Sequence, residues 1–220
     1  MSKAASIHRP HGLAGNRPLQ AMIAVFTLIW IGLAIAPLYR SDWLLENLLV
    51  FAFVGLLAAS FRRFQFSNLS YFLFTVFLLL HSYGAHYTYS EAAFGFWLRD
   101  TLHLARNPYD RIVHFAFGLL LTYPLRELTQ RVLHLHRIWA YVIPFLLLLA
   151  MSAGYESIES WVARLVSPEL GTAYLGTQGD EWDAQRDMDR AMVGSLICLG
   201  LTWLGERVRA QTRKRREKRA

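Results

Sequence analysis

Residues 19–39 contain no charged side chain, and no other feature limits the chain so sharply. Wound into an α-helix, such a run covers roughly 31 Å, enough to cross the hydrocarbon core of a bilayer. Five more apolar runs follow, at 44–61, 69–89, 109–125, 138–155 and 188–204. Hydrophobic residues make up 54% of the chain and the mean hydropathy is +0.25, above the range of ordinary soluble domains. The expected fold is all-α: a polytopic membrane bundle of six transmembrane helices. A cytoplasmic segment (1–18) precedes the membrane domain (19–204), and a basic cytoplasmic tail (205–220) follows it.

Two runs need comment. The first has a basic lead (Lys3, Arg9, Arg17), and Ala34-Ile35-Ala36 imitates a signal cleavage site. Its apolar stretch is longer than a signal core and more spans follow, so it is read as retained. The run at 109–125 is the least apolar and contains His114, so its helix is expected to extend past both ends. Pro124 and Pro144 fall inside expected helices, which membrane bundles tolerate.

Charge sets the orientation. With both termini cytoplasmic, the inside segments hold 16 Lys/Arg and three acids, and the outside segments hold seven Arg and thirteen acids. The Lys/Arg asymmetry is what the positive-inside rule reads. The tail "RVRAQTRKRREKRA" is then a topology anchor on anionic lipid headgroups. No aromatic platform accompanies it, which argues against nucleic acid as a partner. Protein partners are left open. The single cysteine, Cys198, rules out a disulfide within the chain and reads as a small packing residue.

The segment "YLGTQGDEWDAQRDM" (174–188) crowds acids against the last apolar run. On a helix advancing about 100° per residue, Asp180, Asp183 and Asp187 fall within about 60° of one another. Ala191, Gly194 and Cys198 continue that face, and small residues allow another helix to approach closely. Capping explains Asp180 and Asp183, as N-cap and N3 partner, but not Asp187, which lies deeper. Asp183 and Asp187 are also a like-charge i,i+4 pair, which destabilises a helix without a nearby cation. In "SAGYESIESW", Glu156 and Glu159 repeat the pattern. In "NPYDRIVHFAFG", Asn107 caps a helix whose first turn holds Asp110, and His114 lies one turn deeper on a similar face. His81 and His86, with Tyr83, Tyr87 and Tyr89, read as an aromatic interfacial belt. Glu127, beside Arg126 and Arg131, reads as a cytoplasmic ion pair.

The candidate polar pocket therefore comprises Asp110, Arg111, His114, Glu156, Glu159, Gln178, Asp180, Asp183 and Asp187, all at the outer side. No catalytic residue is assigned. Carboxylates with one imidazole suit Zn²⁺, Mn²⁺ or Fe²⁺, and oxygen alone suits Mg²⁺ or Ca²⁺. His114, Glu156, Glu159, Asp183 and Asp187 are the candidate metal ligands. Alternatively, Arg111, Arg164 and Arg186 neutralise the acids as a static ion network. The turn "LGTQGD", with Thr177 and Gln178, is a further candidate to hold an anionic headgroup.

"NPYDRIVHFAFG", "YPLRE", "SAGYESIE" and "YLGTQGDEWDAQRDM" together resemble the YjdF-like bacterial inner-membrane family, over about 86–204. The resemblance implies a multi-pass protein of the bacterial plasma membrane and carries over no activity, substrate or catalytic residue. Three functions remain in view. One is a protein with an outward-facing acidic/His pocket that binds a divalent metal and acts on an envelope or lipid-linked substrate. The others are a small-solute or proton-coupled transporter, and a non-catalytic scaffold whose acids form an ion network.

Overall fold

The computed structural model describes residues 12–218. Among these residues there is no strand; a short 3-10 turn (Leu13–Gly15) precedes eight α-helices. They are α1 (Arg17–Ala34), α2 (Arg40–Ser60), α3 (Asn68–His86), α4 (Ala93–Leu102), α5 (Tyr109–Val132), α6 (Trp139–Leu165), α7 (Pro168–Leu175) and α8 (Asp183–Glu217). Five of them (α1, α2, α3, α6 and α8) are long and apolar enough to cross a membrane. Lys3, Arg9 and Arg219 lie outside the described residues.

Several boundaries differ from the sequence reading. α1 stops at Ala34, not Tyr39, because Ile35 is extended and Ala36 takes a positive φ of 47°. Pro37 explains this: the residue before a proline avoids the helical region. α4 and α7 occupy stretches that carry no long apolar run. α6 continues past Tyr155 to Leu165. α8 passes unbroken from Asp183 through Glu217, so the boundary drawn at 204 falls inside one helix. α8 starts after Trp182, and Asp180 accepts from the Trp182 N–H (3.1 Å) instead of capping the helix itself.

α5 is the exception among the long helices and also the centre of the bundle. It packs against α3, α6 and α8. Its buried residues include His114, Thr122, Arg126 and Thr129 as well as Val113 and Leu121. Helices shielded on most sides tolerate polar groups that a lipid-facing helix would not. Its closest partner is α8. A Cβ on Gly118 would lie 1.9 Å from the Ala191 carbonyl oxygen, and one on Gly194 would lie 2.2 Å from that of Phe115. The two backbones therefore touch, and the hydroxyls of Thr122 and Ser195 meet across the seam (2.8 Å).

Polar ties close each end. At one, Glu127 accepts from Ser67 N–H (2.8 Å) and from the Ser67 and Ser70 hydroxyls, which fastens the start of α3. Arg131 pairs with Glu127 at 2.7 Å, whereas Arg126 reaches Glu206 on α8 (2.7 Å) and lies over the Tyr141 ring. At the other end, Leu38 N–H donates to the His86 carbonyl (2.9 Å), and the His86 ring meets the Leu33 carbonyl (2.7 Å). α7 lies against both α2 and α6 there.

Candidate functional site

The start of α5 is fixed locally. Asn107 Oδ1 accepts from the Tyr109 N–H (3.0 Å), and Asn107 Nδ2 donates to the Ala92 carbonyl (3.0 Å). Helix then carries Asp110 and His114 inward on one face, four residues apart. α8 brings Asp183 and Asp187 against them by the same spacing. The His114 ring lies 3.5 Å from Asp110 Oδ1 through Nε2 and 3.6 Å from Glu156 Oε1 on α6 through Nδ1. One ligand atom each from Asp110, His114 and Asp187 lie within 4.8 Å of one another. Asp187 is only 2% exposed, and its Oδ1 has no hydrogen-bond partner; nor has Glu156 Oε1.

The arginines are spent elsewhere. Arg106 Nη1 donates to Asp183 (2.5 Å) and to the Thr177 carbonyl (2.9 Å), and Nη2 donates to the Gly176 carbonyl (3.3 Å). Arg111 binds Asp180 at 2.5 Å, and Arg186 approaches the same carboxylate at 3.3 Å. Loss of hydration pushes the Asp180 carboxyl up. The Trp182 N–H and the guanidinium groups of Arg186, Arg111 and Arg106 outweigh that and hold it below the usual carboxylate range. Among the described residues, no Lys or Arg forms an ion pair with Asp110, Asp187 or Glu156.

The nine sequence candidates thus divide into two groups and two single residues, Gln178 and Glu159. Asp110, His114, Glu156 and Asp187 meet in one close cluster. Arg111, Asp180 and Asp183 form an ion cluster at its rim, with Arg106, which the sequence reading passed over. Gln178 is a clamp: its side-chain oxygen accepts from Asn107 N–H and its amide donates to the Asn107 carbonyl, both at 3.0 Å. With Arg106 on the carbonyls of Gly176 and Thr177, that turn holds a guanidinium group. Glu159 is half-buried beyond Glu156 and forms no ion pair among the described residues. Arg164 likewise pairs with none of these acids there.

A second polar group was missed. Asp42 (1% exposed) and Glu46 (2%) lie one turn apart on α2. Thr88 donates to Asp42. His81, read as part of an interfacial belt, is buried instead. Its Nδ1 meets the Tyr89 hydroxyl at 2.5 Å and its Nε2 meets the Glu46 carbonyl at 3.2 Å. Tyr155 joins the two groups: its hydroxyl donates to Glu46 Oε2 (3.5 Å), and its ring centroid is 5.9 Å from that of His114. The signal was present in the sequence, since Asp42 and Glu46 repeat the i,i+4 acidic spacing of Asp183 and Asp187.

Chemically, the cluster offers carboxylate oxygens and one imidazole, with no guanidinium in contact with Asp110, Asp187 or Glu156 among the described residues. Such a set takes up protons or a divalent cation. Comparison with known proteins agrees with a membrane setting. The chain is 36% identical over 183 residues to the inner membrane protein YjdF of Escherichia coli (strain K12), covering 82% of this chain and 87% of that protein. No solved structure matches it. The family model described as "Predicted membrane protein (DUF2238)" matches residues 18–207, from the first turn of α1 well into α8. The chain belongs to this predicted membrane protein family, DUF2238.

Proposed function

We propose that this chain is a six-span protein of the bacterial inner membrane, with α5 as the sixth span and both termini cytoplasmic. Its outward-facing cluster binds a divalent cation through Asp110, His114 and Asp187, with Glu156 beside them. Asp183, an expected ligand, instead tunes the rim with Arg106. The bound cation serves chemistry on an envelope or lipid-linked substrate, with the carboxylate left free of the metal as base. The name of the YjdF relative supports the location, and the arginine distribution supports the orientation. The basic end of α8 leans on anionic headgroups.

One observation carries the cation reading. Asp187 is buried with an oxygen that no donor reaches, beside a second carboxylate and an imidazole. A buried carboxylate without a partner costs several kcal/mol, of order 3–5 when a charge is left uncompensated. A static ion network would place an arginine there, yet Arg106 and Arg111 bind Asp180 and Asp183. The test is elemental analysis of the purified full-length chain. About one Zn²⁺ or Mn²⁺ per chain is expected in the native protein. Asp187→Asn should lose it, and Glu169→Gln on α7 should keep it. Metal content near zero, or unchanged in Asp187→Asn, would discard the cation and leave the scaffold.

A further inference from the structure

A cavity of about 130 Å³ lies between α2, α3, α5 and α6. Its volume is comparable to the roughly 150 Å³ apolar cavities that stay dry and accept benzene. Val50, Phe53, Phe77 and Leu121 make apolar walls. One end is different, being formed by His81, Tyr89, His114, Ser152 and Tyr155. Ser152 is 2% exposed, and its hydroxyl has no partner. The hydroxyls of Thr75, Thr122 and Ser157 fold back onto the carbonyl four residues earlier, whereas Ser152, like Ser82 on α3, has no partner. Ser152 leaves that bond unmade and lines the cavity instead.

The cavity has a side door. α2 packs on α3 and α7, and α6 packs on α5, α7 and α8, but α2 and α6 approach each other only sparsely, the Tyr155–Glu46 hydrogen bond being one link. Leu49 and Met151 line the cavity from these two helices, each near the middle of its helix, and are 41% and 43% exposed. Both helices are apolar enough to cross a bilayer. At that depth the medium outside the door is lipid hydrocarbon.

We infer that this cavity admits a single-chain membrane amphiphile sideways between α2 and α6, its polar end against Ser152, Tyr155 and His114 and its hydrocarbon chain left in the bilayer. Apolar walls take the first methylenes, and the unpartnered Ser152 hydroxyl takes a head-group oxygen. This deepens the proposed function by naming its substrate class. It rests on that reading through His114, which faces both the cavity and the acidic cluster.

The probe is cis-parinaric acid, a fluorescent single-chain carboxylate, titrated into the full-length chain in detergent. Saturable binding of about one probe per chain is expected. Ser152→Leu, which fills the polar end, and Met151→Trp, which blocks the door, should each weaken it about tenfold or more. Leu28→Trp on the exposed face of α1 should bind as the native chain does. Melting temperatures check folding, and Met151→Trp changes a side chain already exposed. Binding that never saturates, or that both variants leave intact, overturns the inference. So does a dimer, by light scattering, that Met151→Trp dissociates, since a second copy would then cover the door. Metal content measured on the same samples separates the two readings: probe binding without metal removes only the cation, and metal without probe binding removes only the amphiphile.

Discussion

Asp180 is held by one backbone N–H and three guanidinium groups, and the sign of its effect on stability follows directly. Its folded pKa lies below the ordinary value of 3.8. Its contribution is therefore fully present above that value and is lost as pH falls through the lower folded one. Melting temperature in detergent, followed from pH 7 to pH 3, should fall over the acid end of that range. Asp180→Asn should already be less stable at pH 7 and should show a shallower acid slope. Residue identities that depend on local spacing were legible without coordinates: the pairs Asp110/His114 and Asp183/Asp187 follow from helical periodicity alone. Which arginine serves which acid was not. Arg106 reaches Asp183 across 77 positions of chain, and nothing in local spacing encodes that contact.

At the scale of elements, the seam between α5 and α8 is the contact least able to change. Gly118 and Gly194 each stand where any side chain would enter the opposing backbone. Gly194→Leu should lower stability by about 1–3 kcal/mol or more, as overpacking does. It should also open the cluster, because Asp187 and His114 sit on these same two helices. A lower melting temperature together with lost metal binding is the expected pair of results. The stripe Ala191–Gly194–Cys198 announced this seam in the sequence, since small residues at helical spacing have few other uses in a membrane. α4 and α7 gave no such notice. Each is short, and their packing depends on partners outside their own turns, such as Asn107 for the start of α4 and the distant α2 for α7.

Across the whole molecule, long apolar runs made the all-helical membrane architecture readable, while the polar core could be read only in part. Glu46 and His81 are hidden within runs whose average is apolar, and Asp42 lies just before one, so hydropathy passes over them. The proposed orientation has its own check. Alkaline phosphatase fused within 103–107 should be active in the periplasm, and fusions within 133–137 should be inactive. The reverse pattern would turn the cluster toward the cytoplasm.

The shielded position of α5 also bears on how the chain is made. Asp110 and Arg111 at one end and Arg126 at the other leave α5 only the 14 residues 112–125 without an acidic, lysine or arginine side chain, short of the roughly 20 apolar residues that favour insertion. α5 finds its closest partner in α8, whose first residue is synthesised only after Val132 has been followed by fifty more residues. During that interval the insertion machinery must shelter α5 from lipid. A nascent chain truncated before α8 should therefore be captured by membrane quality-control proteases, while one completed through Glu217 escapes them.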